Sequence, residues 1–379
     1  MKKVLAFILS LVLVLGVVVL VACDSQPGGN NFKTLDLNDD DTRTEFVNVL
    51  AEKVDSEKLF GDSEQDGWKF GLSENGSSKL GLDLALTPAE GADKLTVKGN
   101  VEFKQSAKLT LKKTEDGISF ANSLNATAKG NVDLSENIYA LLGEETAAIV
   151  KKIITNFNYT VDTYMDEEVA LISLSDSLYK NLPEKYKEAL GSRKIKIALK
   201  SSSIQTFAEE TDGEIDNELE YKKEFINGLI DSYLIPLKIS VSVANTNGYA
   251  IKFTVTKESV LAVLSSFLPS ETEGSDSWIV AAINSVASSI SDDAKFELIV
   301  RIGQDGSFSA FSLTLNCKLT LDFDIPDYGK VTGTVSVNSS VETKKFSGSI
   351  SKPNEKDYTE FKGFSSGDNG DIIFGGSAD

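Results

Sequence analysis

The sequence predicts an α+β fold: a large curved antiparallel β-sheet, half-barrel-like, with several amphipathic helices packed on its apolar face. Three observations predict it. From Trp68 to about Val341, long runs alternate apolar and polar residues with period two. Asn-Gly and Asp-Gly pairs punctuate those runs. Between them lie four or five stretches whose apolar residues recur at helical spacing. Strict alternation gives each strand one dry and one wet face. Strands of a parallel α/β sheet would be apolar on both faces, so the expected sheet is antiparallel.

The strands come in order. Leu80, Leu82, Leu84 and Leu86 alternate with small or polar residues, as do Leu95, Val97, Val101 and Phe103, then Ala107, Leu109 and Leu111. Ile195, Ile197 and Leu199 follow, then Leu237, Ile239, Val241 and Val243, then Tyr249, Ile251, Phe253 and Val255, then Phe296, Leu298, Val300 and Ile302. The clearest run is Phe311, Leu313, Leu315, Cys317, Leu319, Leu321 and Phe323, with Val331, Val335 and Val337 behind it. Asn75-Gly76, Asp116-Gly117, Asn247-Gly248 and Asp305-Gly306 supply the hairpin signals.

Helical spacing appears over residues 43–55 (Phe46, Val47, Leu50, Val54), 136–157 (Ile138 to Phe157) and 177–190, where Gly191 is a C-terminal stop. It appears again over 216–234, ended by Pro236, over 257–268, and over 276–290 with Ser275 or Asp276 as N-cap. Ten to twelve one-sided strands need a cover, and the amphipathic helices need something to pack on. One twisted sheet roofed by helices satisfies both.

The ends carry different signals. Lys2 and Lys3 precede the apolar run 4–22, and Leu20-Val21-Ala22-Cys23 closes it in the layout of a secretory leader. Nineteen apolar residues could also just span a bilayer, but the ordered succession of lysines, apolar run, small residue and Cys favours a leader. Residues 23–42 read as a flexible polar tether, 43–346 as one domain with two possible related halves (about 60–210 and 235–346), and 347–379 as a loose Gly/Ser/Asp-rich tail.

Composition closes off several function classes. The chain has 379 residues, no histidine, two cysteines and a formal net charge of −19. No imidazole is present for a Ser-His-Asp or Cys-His pair, and two cysteines cannot build a Cys₄ zinc site. The acidic balance argues against nucleic acid, which needs clustered positive charge. Asp36, Asn38 and Asp40 have the first spacings of a calcium loop, but Asp41 stands where glycine is required and Val47 where a bidentate Glu is required. Asp322 and Asp324 fall on the wet face of the strongest strand, and Asp327 lies in a turn beside Pro326. The run Glu209, Glu210, Asp212, Glu214 and Asp216 leads into a helix, whose N-terminal dipole favours acids. No catalytic, metal-ligating or cofactor-binding residue is assigned, and the chain is expected not to be an enzyme. Cys317 reads as a free thiol on an apolar strand face.

The Leu20–Cys23 stretch resembles the lipobox of bacterial lipoproteins. That resemblance implies that Cys23 is the lipid attachment site and that residues 1–22 are removed. It also implies a protein held at the extracytoplasmic side of a bacterial membrane. The long alternating strands with inserted helices resemble the LolA/LppX-like half-barrel lipoproteins. Asn158–Pro183 is similar to that family's recurring hairpin followed by a Leu-Pro segment, and Phe296–Ile302 with Phe308–Phe323 is similar to its later hairpins. The likeness covers about residues 60–346 by pattern, without a signature residue, so no ligand-binding residue is carried over. It implies a carrier of a lipid or other hydrophobic ligand between sheet and helices. The sheet and helices either leave such a gap or pack solid. A solid core would instead suit a surface-exposed, adhesin-like interaction lipoprotein whose protein partner is unknown.

Overall fold

The computed structural model describes residues 31–62, 67–88, 94–114, 117–138, 156–182, 184–199, 218–245, 248–267, 288–325, 329–348 and 351–361. The leader, Cys23, the acidic run 209–216, most of the helix expected at 276–290, and Asp327 lie outside them.

The chain begins with β1 (Lys33–Thr34), α1 (Asp40–Lys53) and α2 (Ser56–Phe60), then three long strands, β2 (Lys69–Pro88), β3 (Leu95–Thr114) and β4 (Gly117–Leu134). The hairpin β5 (Asn156–Met165) and β6 (Val169–Leu174) follows, then α3 (Asp176–Asn181), α4 (Glu184–Leu190) and β7 (Lys194–Ala198). Next, α5 (Glu218–Leu229) runs into a π-helical turn (Ile230–Leu234), and β8 (Ser240–Ala244), β9 (Tyr249–Thr256) and α6 (Lys257–Phe267) come after it. The last elements are β10 (Lys295–Ile302), β11 (Phe308–Ile325), β12 (Gly329–Lys345), a 3₁₀ turn (Glu355–Asp357) and β13 (Thr359–Glu360).

All thirteen strands form one open sheet in the order β1-β8-β9-β10-β11-β12-β2-β3-β4-β5-β6-β7-β13. Every neighbouring pair is antiparallel except β13 on β7, which is parallel. The sheet is therefore mixed at one edge, and among the described residues its helices are short beside the long central strands. The two regions read as possible halves each contribute a meander, and the meanders join where β12 pairs with β2.

Register turns the alternation into faces. The rungs Leu319–Val335–Leu82 and Phe323–Val331–Leu86–Leu95 run straight across neighbouring strands. With Leu80, Leu84, Leu321 and Val337, the residues Leu319, Val335, Leu82, Val331, Leu86 and Leu95 of these rungs form the main apolar cluster, onto which Ile138, Val260 and Ile290 pack. The opposite side carries the rung Asn316–Asn338–Lys79–Glu102–Lys129. Cation and carboxylate meet there as Lys98–Asp83 at 3.2 Å and Lys330–Asp322 at 2.6 Å. Two glycines interrupt the apolar side because the neighbouring backbone comes too close for a side chain. A Cβ on Gly333 (φ +138°) would lie 2.0 Å from the Asp83 carbonyl oxygen, and one on Gly99 would lie 2.1 Å from that of Asn131.

At the β8 edge, α1 and α5 cover the apolar side. Asp39 caps α1, its carboxylate accepting from the Thr42 N–H at 2.8 Å; the Thr42 hydroxyl first, and then that N–H, hold the carboxyl below its ordinary value. Asp40 and Asp41 in the first turn and Lys53 in the last suit the helix dipole. Phe46, Val47 and Ala51 from α1 meet Ile226 and Ile230 from α5 and its π turn, over Val241, Tyr249, Ile251 and Ile302. The Arg43 guanidinium ties the two helices from outside, with both Asp231 oxygens at 2.7–2.8 Å and Asn227 Oδ1 at 2.8 Å. Burial, with Glu45 nearby, pushes the Tyr249 phenol up to about 12.

Several expectations are corrected. Asn75-Gly76 is not a turn: both residues sit inside β2, paired to Glu342 and Val341 on one side and to Ser106 and Gln105 on the other. The helix expected to reach Phe157 gives way by Asn156, where β5 begins. Residues 177–190 form two short helices, because Leu182, just before Pro183, turns to extended backbone, which the proline ring favours. Leu237 belongs to a turn, not to a strand with Val241. The stretch read as a tether ends earlier: Lys33–Thr34 pairs with β8, and Leu37 is 6% exposed in the α1–α5 cluster. The stretch read as a loose tail includes a docked strap, residues 351–361, ending in β13 on β7.

Candidate functional site

The apolar side is not uniformly buried. Its buried apolar side chains gather mainly in the α1–α5 cluster and in the Leu80–Leu86 cluster, with Val341 buried between them against Phe311 and Leu313. Between these lie three rungs: Ile251–Val300–Phe311–Thr343–Glu74–Ala107, Phe253–Leu298–Leu313–Val341–Gly76–Gln105, and Val255–Phe296–Leu315–Ser339–Ser78–Phe103. Along them Phe253, Val255, Phe296, Leu298, Val300, Phe311, Leu313, Leu315 and Phe103 are only half-buried. A band of partly uncovered aromatic and aliphatic side chains, flanked by filled core, is the feature most like a ligand surface in this sheet.

Polar groups break the band at its middle. Gln105 Nε2 donates to Glu74 Oε1 at 2.8 Å. Burial pushes the Glu74 carboxyl above its ordinary value, and the bond from Gln105 opposes that only in part. Directly across the rung from Glu74, Thr343 is buried and its Oγ1 has no hydrogen-bond partner. The nearby Ser78 and Ser339 hydroxyls satisfy each other at 2.9 Å. The notch therefore offers a carboxyl readily protonated, an amide and an idle hydroxyl beside apolar rungs. It can hydrogen-bond an uncharged polar group while disfavouring an anion.

Three cavities bordered by described residues lie away from this band. One of about 660 Å³ opens mainly on the wet side, with Lys79, Asn100, Glu102, Lys318 and Asn338 in its walls. One of about 540 Å³ sits among charged residues where α1, α2 and α5 meet the β10–β11 turn, including Lys53, Asp55, Lys58 and Glu218. The third, about 280 Å³, lies between the sheet and the strap, against Tyr164, Leu171, Phe346, Pro353 and Tyr358.

No family profile and no curated protein matches the chain. Among solved structures it is similar to the beta-barrel-like protein of domain of unknown function DUF1849 from Brucella abortus. The identity is 11%, over 71% of this chain and 97% of that chain, with a TM-score of 0.14. It is also similar to an N-terminal dehydratase from the difficidin assembly line, at 8% identity, over 84% of this chain and 93% of that chain, with a TM-score of 0.07. Neither likeness is close enough to carry an argument.

The residues singled out in the sequence are scattered. Cys23 is outside the described residues. Cys317 is free and half-buried, and burial, reinforced by Asp293, pushes its thiol up, away from the reactive thiolate. Asp322 pairs with Lys330, and Asp324 stands opposite the same lysine in register. Asp36 accepts from the Asn38 backbone at 3.0 Å, closing a local turn before α1. Sequence reasoning missed the notch. Its signal was the break in alternation on β2, where Glu74, Gly76 and Ser78 stand between Leu72 and Leu80 on the apolar parity.

Proposed function

We propose that the protein is an extracytoplasmic bacterial lipoprotein, anchored through an acylated Cys23, that holds a lipid or similar amphiphile on the apolar side of its sheet without catalysing a reaction. The half-buried band between the two filled clusters carries this reading. An acyl chain would lie along the Phe296–Leu315, Leu298–Leu313 and Val300–Phe311 rungs, with its uncharged polar end at Glu74, Gln105 and Thr343. A half-barrel sheet closed by helices, as in the LolA/LppX-like lipoproteins, suits that cargo. The test is solvent extraction of protein purified from membranes, followed by mass spectrometry. A stoichiometric lipid is expected in wild type, and Cys23→Ala is expected in the soluble fraction with that lipid still bound. Lipid-free protein from every host would sink the carrier reading, and Cys23→Ala that still pelleted fully with membranes would sink the anchor.

A second reading, a surface-exposed interaction lipoprotein, is favoured by the 660 Å³ concavity on the wet side and its lysine and asparagine lining. Lipid-free protein that nevertheless bound a polar envelope glycan there would select it.

A further inference from the structure

One helix of the α1–α5 corner is dressed on both sides. Ile226 and Ile230 face the core, yet Tyr221, Phe225, Leu229 and Tyr233 are 54, 57, 39 and 57% exposed. These four recur at every fourth residue, so on an α-helix they form one slowly drifting stripe, about 40° per step. The wider π turn over Ile230–Leu234 offsets the drift before Tyr233. At Gly228, beside the stripe, an added Cβ would meet nothing within 4 Å. Both lysines of the helix are engaged within it, Lys222 on Glu218 and Lys223 on Glu220, while Glu224 beside Phe225 is exposed. Two tyrosines, a phenylalanine and a leucine in a row are the side chains that settle at a bilayer–water boundary.

The position of the chain's N-terminal end says what covers the stripe. Lys33–Thr34 lies along β8, and Leu35 and Leu37 belong to the same cluster as Ile226 and Ile230. Seven residues, 24–30, separate Cys23 from Asn31, the first described residue. Fully extended, they reach at most ~30 Å. A lipid on Cys23 thus keeps this corner within about 30 Å of the membrane. We propose that the α5 stripe is the surface through which the anchored protein seats on the phospholipid headgroup layer. This rests on the anchored-lipoprotein reading and deepens it, because a seated carrier stands where its lipid cargo is exchanged. The chain is strongly acidic, at −19. The seat is therefore made by rings and not by charge, and it favours zwitterionic over anionic lipid.

The test uses acylated full-length protein in phosphatidylcholine vesicles with ordinary or brominated chains. Phe225→Trp adds a reporter on the stripe, and Tyr233→Trp a second should the first disturb the helix. Tyr186→Trp, on α4 near the far edge of the sheet, is the comparison. Emission beyond that of the native Trp68 and Trp278 is expected to be quenched by bromine about threefold more or better on the stripe than at position 186. The difference should shrink when phosphatidylglycerol is mixed in. Equal quenching at both positions in anchored protein overturns this inference alone. Doubled particle mass with bromine-independent shielding overturns it in favour of a second copy of the chain. Protein that never stays with the vesicles overturns it together with the anchor.

Discussion

At the β8 edge the sheet is covered on its dry side by α1 and α5; at the β7 edge it is covered on its wet side by the strap of residues 351–361. The first cover works by burial: Phe46, Val47, Ile226 and Ile230 leave water together, and Ile230 is 0% exposed. The second has a smaller apolar base, Tyr358 against Tyr164, Val169 and Leu171. It is held chiefly by ions: Lys352 meets Asp166 and Glu355, each at 2.9 Å, and Lys196 meets Glu355 at 2.9 Å and Glu360 at 3.5 Å. A two-residue parallel ladder to β7 completes it. One sheet thus closes its two ends with interactions that respond to different solvents.

The largest effect should come from the burial side. Ile230→Ala removes a fully enclosed side chain from the α1–α5 cluster and should cost about 2–5 kcal/mol in denaturant-induced unfolding. Removing residues 351–379 should cost less and leave α1 and α5 in place. A strap deletion more damaging than Ile230→Ala would break the contrast.

The same contrast explains what was legible in the sequence. Burial leaves periodicity, so Phe46, Val47 and the 216–234 helix could be read, as could the Leu80–Leu86 and Phe311–Phe323 strands. Ion pairs between distant polar residues leave none. Lys352, Glu355 and Asp166 sit in stretches of ordinary polar composition, so residues 351–361 looked like a tail. Leu35 and Leu37 were hidden for a related reason: two apolar residues among Asp and Asn are too few to set a period. Asn75-Gly76 misled because it carries a turn signature in a central strand, where ladders on both sides override local preference. The notch was visible only as a gap in alternation, and a gap does not say which partners face it across other strands.

Solvent conditions should separate the two covers next. In the fold, burial pushes the Asp166 carboxyl up, but hydrogen bonds from Lys352 and from the Glu168 and Val169 N–H groups outweigh it, and the net shift is downward. Glu355 is drawn down by Lys352 and then by Lys196. A carboxyl whose pKa is depressed by folding lends stability that is complete above its unfolded value and vanishes as pH falls through the folded one. The strap should therefore hold at neutral pH and loosen below the ordinary values of 3.8 and 4.5. Salt near 1 M, with a screening length of about 3 Å, should loosen it at pH 7 as well. Amide exchange over 352–361 should speed severalfold under either condition, while α1 and α5 stay protected. Asp231 is also held low, by Arg43, but protonating it leaves Ile226 and Ile230 buried. Equal loosening at both edges would mean that the strap, too, is held by burial.

The smallest effect lies between the covers, at the notch. Burial raises the Glu74 carboxyl, with Gln105 opposing, so the folded state disfavours the ionised form. The sign is then the reverse of the strap's. Stability falls as pH rises from the ordinary value of 4.5 through the raised one, and stays lower above it. Glu74→Leu should thus raise the melting temperature at pH 7 and raise it less at pH 4, where wild type already carries the proton. A protein that retains such a group bears a stability cost at neutral pH that a leucine would remove. That cost makes sense if the carboxyl meets a ligand's polar end. Glu74→Leu protein should then fold better and yet co-purify with less lipid; a variant more stable and equally loaded would assign the notch to the fold alone.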